Sequence, residues 1–216
     1  MNKELLGPKY KPKNGKTETI CIFLHGWGSD GNDLIGLADV LANSFENMLF
    51  LSPHAPDICD MNPSGRQWFD IYNREQNDDE IDKPNVFVEK YIEKNSLENN
   101  IPKNKIFLYG FSQGAMVALH VGLRLKVSLG GILSFSGSFL VPERIKEIKN
   151  KTPVLMVHGK KDDVVPYSEL DKGEEHLKNE GIKVDKLSVP ELGHGIDQTG
   201  ISKAIEFMNY NLKNVI

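Results

Sequence analysis

Cysteine is scarce in this sequence: only Cys21 and Cys59 occur among its 216 residues. Small secreted domains held by disulfides carry a much denser set of cysteines, so we expect the stability of this chain to come from a buried core. Cys21 lies in an apolar run and Cys59 in a polar loop, and we interpret both as free thiols. A chain of this length can bury such a core in one unit, which predicts a single domain over 1–216.

Long apolar runs and an excess of basic charge are missing as well. No stretch approaches the roughly 20 apolar residues that span a bilayer, and the lysine-rich segment 1–16 is not followed by the apolar run of a signal peptide. The 26 Lys and Arg residues are scattered and face 30 Asp and Glu, giving a formal net charge of −4. The sequence therefore predicts a cytoplasmic protein with no stable membrane insertion and no nucleic-acid partner.

Short apolar runs alternate with segments of helical periodicity, which is typical of a mainly parallel sheet with helices on both faces. The predicted strands cover 20–24, 48–52, 105–109, 129–135, 154–157 and 183–189, and the predicted helices cover 34–41, 85–99, 142–149 and 168–180, with others starting near 112 and 201. The long polar loop 53–84 is interrupted by Gln67-Trp68-Phe69. A loop of that length in a compact domain usually serves a function.

One strand-to-helix junction carries the pattern G-x-S-x-G, as Gly110-Phe111-Ser112-Gln113-Gly114. An apolar strand precedes it and an apolar helix follows, which is the setting of a nucleophile elbow. There a sharp turn presents the serine, and glycines let strand and helix approach closely. We therefore predict an α/β-hydrolase fold with Ser112 as the nucleophile. The alternative is an ordinary turn with glycines chosen for packing.

In that fold an acid and then a histidine follow the nucleophile along the chain. Asp162 and Asp163 both lie in the loop after the strand 154–157, and position alone does not separate them. Of the two later histidines, His176 lies in a charged helical segment, whereas His194 is flanked by glycines in the loop after the last predicted strand. We predict His194 as the base. No histidine pair has the spacing of a zinc helix, so neither a metal nor another cofactor is expected.

Acyl transfer also requires two backbone N–H donors for the oxyanion. Gln113, directly after the nucleophile, offers one of them. The other is expected in the glycine-rich turn His25-Gly26-Trp27-Gly28, which follows the first clear strand. A phosphate-binding loop is the competing interpretation of this turn, but the Lys-Ser/Thr ending of that motif is absent.

Five segments together resemble the phospholipase/carboxylesterase family of α/β-hydrolases, which includes acyl-protein thioesterases, and especially its bacterial esterase branch. They are FLHGWGSDGNDLIGLA at 23–38, GRQWFDI at 65–71, GFSQGAMVALHVGLR at 110–124, VHGKKDDVVP at 157–166 and GHGID at 193–197. The resemblance implies a triad of Ser112, Asp162 and His194, which separates Asp162 from Asp163. It also implies Trp27 and Gln113 as the oxyanion donors. Segment 73–84 departs from the family by being unusually polar and acidic.

The resemblance also bears on substrates and partners. It implies a small-molecule acyl ester or thioester as substrate, and because the family often pairs, a homodimer is among the assemblies it allows. The loop residues predicted to face the site and form an apolar acyl groove are Trp27, Ile58, Met61, Trp68, Phe69, Phe139, Leu140 and Val164. Ordinary packing is the alternative for each of them.

The predicted function is hydrolysis of short to medium acyl esters through an acyl-enzyme. Lysophospholipase or acyl-protein thioesterase activity on lipid-like substrates is the alternative function. The fold by itself also allows a peptidase, or a hydrolase fold kept only as a binding module. Only residues 136–152 lie where large lids are usually inserted, so no large cap domain is expected.

Overall fold

The computed structural model describes residues 4–74 and 77–214. The strands in this part of the chain are β1 (Lys9–Tyr10), β2 (Thr19–Leu24), β3 (Met48–Leu51), β4 (Asp57–Ile58), β5 (Arg66–Gln67), β6 (Ile106–Phe111), β7 (Gly131–Phe135), β8 (Val154–Gly159) and β9 (Val184–Val189). The α-helices are α1 (Gly31–Leu34), α2 (Leu37–Leu41), α3 (Ile71–Arg74), α4 (Lys83–Asn99), α5 (Gln113–Gly122), α6 (Ser168–Asn179) and α7 (Gln198–Lys213). Short 3₁₀ helices occupy Asp78–Asp82, Lys103–Lys105 and Pro142–Glu147.

The main sheet has seven strands in the order β1-β3-β2-β6-β7-β8-β9. β1 pairs antiparallel with β3, and all other neighbouring strands of this sheet are parallel. β4 and β5 form a separate antiparallel hairpin. Because parallel strands point in one direction, the loops that follow β2, β6, β8 and β9 all leave the sheet at the same edge, where α/β proteins bind their ligands. The predicted mainly parallel sheet is confirmed.

Alternate residues of each central strand face opposite sides of the sheet. In β2, Ile20, Ile22 and Leu24 belong to a core shared with α4, α5 and α6, whereas Cys21 and Phe23 belong to a core shared with α1, α2 and α7. Helices therefore cover both faces, as the sequence predicts. Burial raises the pKa of the Cys21 thiol well above its usual range, so Cys21 is a packing residue. Both cysteines are buried free thiols.

Two predicted helices differ in the structure. Residues 34–41, predicted as one helix, form α1 and α2 with a break at Gly36, where the N–H of Ala38 bonds back only three residues to Ile35, at 3.0 Å. Glycine is a poor helix former, which accounts for the break. The predicted helix 142–149 is a 3₁₀ turn that starts after Val141, a residue in the left-handed conformation. These two regions form shorter and tighter turns than the periodicity indicates.

The region between β7 and β8 carries no inserted cap domain. Residues 136–153 separate the two strands, and the 3₁₀ helix Pro142–Glu147 is their regular element. The absence of a large cap agrees with the sequence prediction. In the described part of the chain, no helix combines the length and the apolar character needed to cross a bilayer.

The acidic segment 73–84 lies in the described chain except for residues 75 and 76, and its residue Asp82 is bonded to the end of α5 that lies farthest from Ser112. Asp82 accepts hydrogen bonds from His120 Nε2 at 2.6 Å and from Arg144 Nη2 at 2.8 Å. The buried carboxylate of Glu80 pairs with Lys83 Nζ at 2.6 Å. The bonds of Asp82 explain how a polar segment packs against an apolar helix, whereas the pair of Glu80 and Lys83 lies within the segment itself.

Two buried histidines should make the stability depend on pH. Burial lowers the pKa of both His25 and His120 to about 4, and for His120 the neighbouring Arg124 acts in the same direction. In the unfolded chain a histidine has a pKa of about 6.5. Between these values the unfolded chain binds more protons than the folded one, so the contribution is present above the unfolded pKa and lost as pH falls towards 4. Each histidine contributes a slope of up to about 1.4 kcal/mol per pH unit.

We therefore expect the free energy of unfolding, measured by urea denaturation, to fall between pH 7 and pH 5. The variant His120→Gln should remove part of that slope, because it takes away one of the two buried groups. His176→Gln, a change of a half-buried residue on α6, is the matched control and should keep the slope. An unchanged pH dependence in His120→Gln would contradict the assignment.

Candidate active site

Ser112 sits on a strained turn between β6 and α5, with φ of 52° and ψ of −118°. Residues other than glycine rarely adopt such angles. Two close approaches require the flanking glycines: a Cβ on Gly110 would lie 2.3 Å from the carbonyl oxygen of Gly114, and one on Gly114 would lie 1.9 Å from that of Leu24. The Ser112 N–H donates to Phe135 O at 2.9 Å. This is the geometry of a nucleophile elbow.

The loop after β8 carries Asp162, whose side chain is fully buried. Oδ2 accepts from His194 Nδ1 at 2.8 Å, while Oδ1 accepts from the N–H groups of Val164 and Val165 at 3.0 and 2.8 Å. Burial alone would raise the pKa of this carboxyl, but the bond from His194 and the two backbone amides together hold the pKa below its usual range. Asp163 is exposed. The structure thus brings Asp162 to His194.

His158 also contacts Asp162, a partner that sequence reasoning missed. Its Nε2 lies 3.2 Å from Asp162 Oδ2 and donates to Val165 O at 3.0 Å, and the side chain is almost fully buried. The sequence interpretation of His158 as a packed side chain omits this role. The available signal was its position at the end of β8, four residues before the acid. His158 therefore helps to fix the loop that carries the carboxylate.

His194 is held beside the elbow. Its ring lies 5.0 Å, between centroids, from that of Phe111, which immediately precedes Ser112. A Cβ on Gly159 would lie 2.2 Å from Leu192 O, so the glycine at the end of β8 lets the His194 loop pass close by. With Nδ1 bound to Asp162, Nε2 is the ring nitrogen left for proton exchange. His176, the other late histidine, lies on α6 with its ring 6.1 Å from Phe139.

The two predicted oxyanion donors flank Ser112. Gln113 is the first residue of α5, where an N–H group has no partner inside the helix. On the other side, a Cβ on Gly26 would lie 3.4 Å from Ser112 Cβ, so the turn that carries Trp27 passes next to the serine. Within residues 4–74 and 77–214, the N–H of Trp27 has no hydrogen-bond acceptor. Both amides are therefore available to a bound oxyanion.

Trp68 and Phe69, predicted as walls of the acyl groove, are instead buried in the core, with 0% and 1% of their surface exposed. The indole Nε1 of Trp68 donates to His25 O at 2.9 Å, and its backbone N–H donates to Gln113 Oε1 at 2.9 Å. Neither side chain is on the surface where a substrate would lie. Burying two large apolar side chains removes more apolar surface from water than lining an open groove would, so burial stabilises the fold more, even within a polar loop.

Three of the remaining predicted groove residues, Phe139, Leu140 and Val164, do come together. They line a groove of about 570 Å³, and the residues that complete it are Met116, Ser138, Val141, Pro142, Val165, Pro166, Glu169, Lys172 and His176. Met116 belongs to the first turn of α5, and its N–H donates to Ser112 O at 3.2 Å. The groove thus extends between the nucleophile helix and the loop of the acid.

Ile58 and Met61 lie elsewhere, in and just after β4, and are 60% and 67% exposed. They do not belong to the lining of the groove. Across the described ranges 4–74 and 77–214, no group of three or more potential metal ligands is close enough to hold a metal ion.

Fold and site together define an α/β-hydrolase with a serine at its elbow. The model of the phospholipase/carboxylesterase family matches residues 8–212, so the chain belongs to that family. Its members act on ester bonds, and the protein is a hydrolase of this class.

The individual relatives that the chain resembles are named as thioesterases and esterases, in agreement with the family. The chain is 33% identical to acyl-protein thioesterase 1 of Cryptococcus neoformans over 173 aligned residues. The alignment covers 74% of this chain and 72% of that protein. It is 27% identical over 224 residues to acyl-protein thioesterase 1 homolog 1 of Dictyostelium discoideum, covering 98% and 99%. Among solved structures, esterase PE8 superposes with a TM-score of 0.91 at 34% identity, over 96% of this chain and 99% of that one. The Bacillus cereus carboxylesterase, at 18% identity and a TM-score of 0.80 over 97% of this chain and 96% of that one, shares the fold.

The contacts of the acidic loop predict which aspartate matters for activity. Asp162→Asn should lower kcat on an aryl ester by roughly 10⁴, because an amide cannot hold the imidazole in the same tautomer or stabilise its charge. Asp163→Asn is the matched control, one residue away and exposed, and should remain within about twofold of the parent because surface changes are usually small. Steady-state kinetics with p-nitrophenyl acetate measures both variants. The reverse ranking would contradict the placement of the acid.

Proposed function

We propose that the protein hydrolyses short to medium acyl esters or thioesters through an acyl-enzyme formed on Ser112. The observation that carries the proposal is the hydrogen bond of 2.8 Å between His194 and a buried Asp162, at the sheet edge where Ser112 occupies a strained turn. In a hydrolase of this family, such a constellation supports nucleophilic catalysis more directly than any other group of side chains in the described chain. The cytoplasm as location and a homodimer as assembly stay predictions.

In the first step of this mechanism, His194 Nε2 removes the proton of Ser112 as Oγ attacks the acyl carbon. The carbonyl π electrons move to oxygen, and the N–H groups of Trp27 and Gln113 stabilise the resulting oxyanion. Asp162 stabilises the imidazolium and keeps the proton on Nδ1. The tetrahedral intermediate then collapses and expels the alcohol or thiol, which takes its proton from His194. Water attacks the acyl-enzyme by the same route and releases the acid.

The groove beside Met116 is the proposed acyl site. Its volume of about 570 Å³ lies within the range of small-molecule pockets. The walls near the nucleophile are apolar, through Met116, Phe139 and Leu140, while Glu169 and Lys172 at another part of the lining form an ion pair at 2.7 Å. Because the apolar wall gives way to charged side chains, the groove favours an acyl chain of limited length.

Hydrolysis of lipid-like thioesters or lysophospholipids is the second candidate function. It is favoured by the similarity to proteins named acyl-protein thioesterase 1. The groove does not separate the two candidates, since both require an apolar acyl site and the same nucleophile. The dependence of the rate on acyl-chain length and on micelles does separate them.

Removing the nucleophile tests the proposal most directly. Ser112→Ala should lower the turnover of p-nitrophenyl butyrate by about 10⁴ or more, because only binding and the oxyanion donors then remain. The variant should also fail to react with a fluorophosphonate probe. Ser202→Ala, a change of an exposed serine on α7, is the control and should keep both activity and labelling. Retention of even a tenth of the parent rate in Ser112→Ala would refute the assignment.

Acyl-chain selectivity tests the groove. We expect kcat/KM on p-nitrophenyl esters to peak at short to medium chains and to show no jump above the critical micelle concentration, because no cap domain covers the site. Leu140→Trp should lower kcat/KM for the octanoyl ester about tenfold while the acetyl ester changes less than about threefold, since only the longer chain needs that volume.

Val127→Trp, a substitution of an exposed residue outside the groove, is the control for the added aromatic bulk. A rate that rises steadily to long chains, with activation at micelles, would favour the lipid-like substrates. Equal loss on both esters in Leu140→Trp would exclude Leu140 from the acyl site.

A further inference from the structure

We propose that residues 67–69, Gln67-Trp68-Phe69, act as a brace that aligns the two oxyanion amides with each other. This inference rests on the proposed function, because it concerns the donors that Trp27 and Gln113 supply there. The two amides belong to different loops, one after β2 and one after β6. A backbone N–H cannot be aimed by its own side chain alone, so its direction depends on what holds the loop.

The brace holds the elbow through the side chain of Gln113, which is 1% exposed. Gln113 Oε1 accepts from the N–H of Trp68 at 2.9 Å, and Gln113 Nε2 donates to Phe69 O at 2.8 Å. Both ends of the carboxamide are thus fixed by the backbone of the brace. The orientation of Gln113 at the start of α5 therefore depends on residues more than forty positions earlier in the chain.

The same brace holds the turn after β2. Trp68 Nε1 donates to His25 O at 2.9 Å, and Gln67 Oε1 accepts from Trp27 Nε1 at 2.9 Å. The carbonyl of His25 and the indole of Trp27 lie on either side of Gly26, so these two bonds fix the turn from both ends. Trp68 is the residue that joins the two halves, because its backbone bonds Gln113 and its side chain bonds His25.

His25 completes the attachment. Its Nδ1 donates to Gly26 O at 2.8 Å, and its Nε2 accepts from the N–H of Ala55 at 3.0 Å. One ring nitrogen donates and the other accepts, which requires the neutral imidazole, in keeping with its burial. Next to the brace, the backbone of Arg66 pairs with the same turn, through Gly28 N–H to Arg66 O at 2.9 Å and Arg66 N–H to Ser29 O at 2.7 Å.

Trp68 is therefore a positioning residue rather than a substrate contact. If the brace aligns the amides, loosening it should weaken binding of the tetrahedral oxyanion more than binding of the ground-state ester, because only the oxyanion uses both donors fully. The expected signature is a fall in kcat with KM little changed. A purely structural role would instead lower the unfolding temperature and leave the kinetics of the folded protein unaltered.

The test uses the full chain with Trp68→Phe, which removes the indole N–H and keeps an aromatic ring. We expect kcat on p-nitrophenyl butyrate to fall roughly 10- to 100-fold, part of the loss seen when a whole donor is removed, with KM within about threefold. Inhibition by an aliphatic trifluoromethyl ketone, which forms a tetrahedral adduct on the serine, should weaken by the same factor as kcat/KM. Unchanged kcat and unchanged inhibition in a folded variant would overturn the inference.

A second variant keeps the test informative if Trp68→Phe does not fold. Gln113→Met removes both side-chain hydrogen bonds but keeps the backbone donor, and it should give the same paired loss in kcat and inhibitor affinity. Val88→Ala, in the same core but without a polar group, is the control for destabilisation and should leave both constants unchanged. If Val88→Ala lowers kcat as much as the brace variants, the effect is one of stability and the inference fails.

Failure of the proposed function looks different from failure of the inference. If the parent protein shows neither Ser112-dependent hydrolysis nor inhibition by the ketone, the proposed function is wrong. If the parent shows both, and Trp68→Phe and Gln113→Met match it, then the function stands and the brace does not.

Discussion

The close approach of α5 to the ends of β2 and β6 is the constraint on which the site depends. It requires glycine at 110 and 114, because a side chain at either position would overlap backbone atoms about 2 Å away. It also forces Ser112 into angles that cost about 1–3 kcal/mol for a residue other than glycine. The buried face of α5 offsets that cost, since most of its residues lie in the core. The position of Ser112 is therefore fixed by the packing of α5, and the other loops of the site are placed around it.

Strand order brings the remaining groups to that point. Serine follows β6, the acid follows β8 and the histidine follows β9, so the groups are spread over one sheet edge with β7 between the first two. The buried carboxylate of Asp162 is stable as an anion because three N–H donors bind it, namely the amides of Val164 and Val165 and the imidazole of His194. The same bonds that make the carboxylate tolerable in the interior orient His194.

Sequence reasoning succeeded where a local pattern determines local geometry. The alternation of side chains along β2 and the sharp turn at Ser112 between two glycines are each determined within a few residues. It was less successful where partners lie far apart in the chain. Trp68 is predicted as a groove residue because it lies in a loop expected to face the site, and only the tertiary fold shows His25 and Gln113 around it. The sequence also carries no signal for the hydrogen bond between Asp82 and His120, which lie 38 residues apart.

These long-range contacts change how the segment 53–84 is understood. A long loop next to a hydrolase site suggests a cover, but Asp82 in its acidic half is bonded to His120 at the far end of α5. Its aromatic pair, Trp68 and Phe69, is buried, and Trp68 is bonded to the turn after β2. The segment therefore contacts α5 and the turn after β2 through its described residues. The walls of the groove beside Met116 are formed by other parts of the chain, including residues 138–142 and 164–166. Because no cap is inserted between β7 and β8, the acyl-chain selectivity that we propose would arise from the shape of those walls rather than from closure over the substrate.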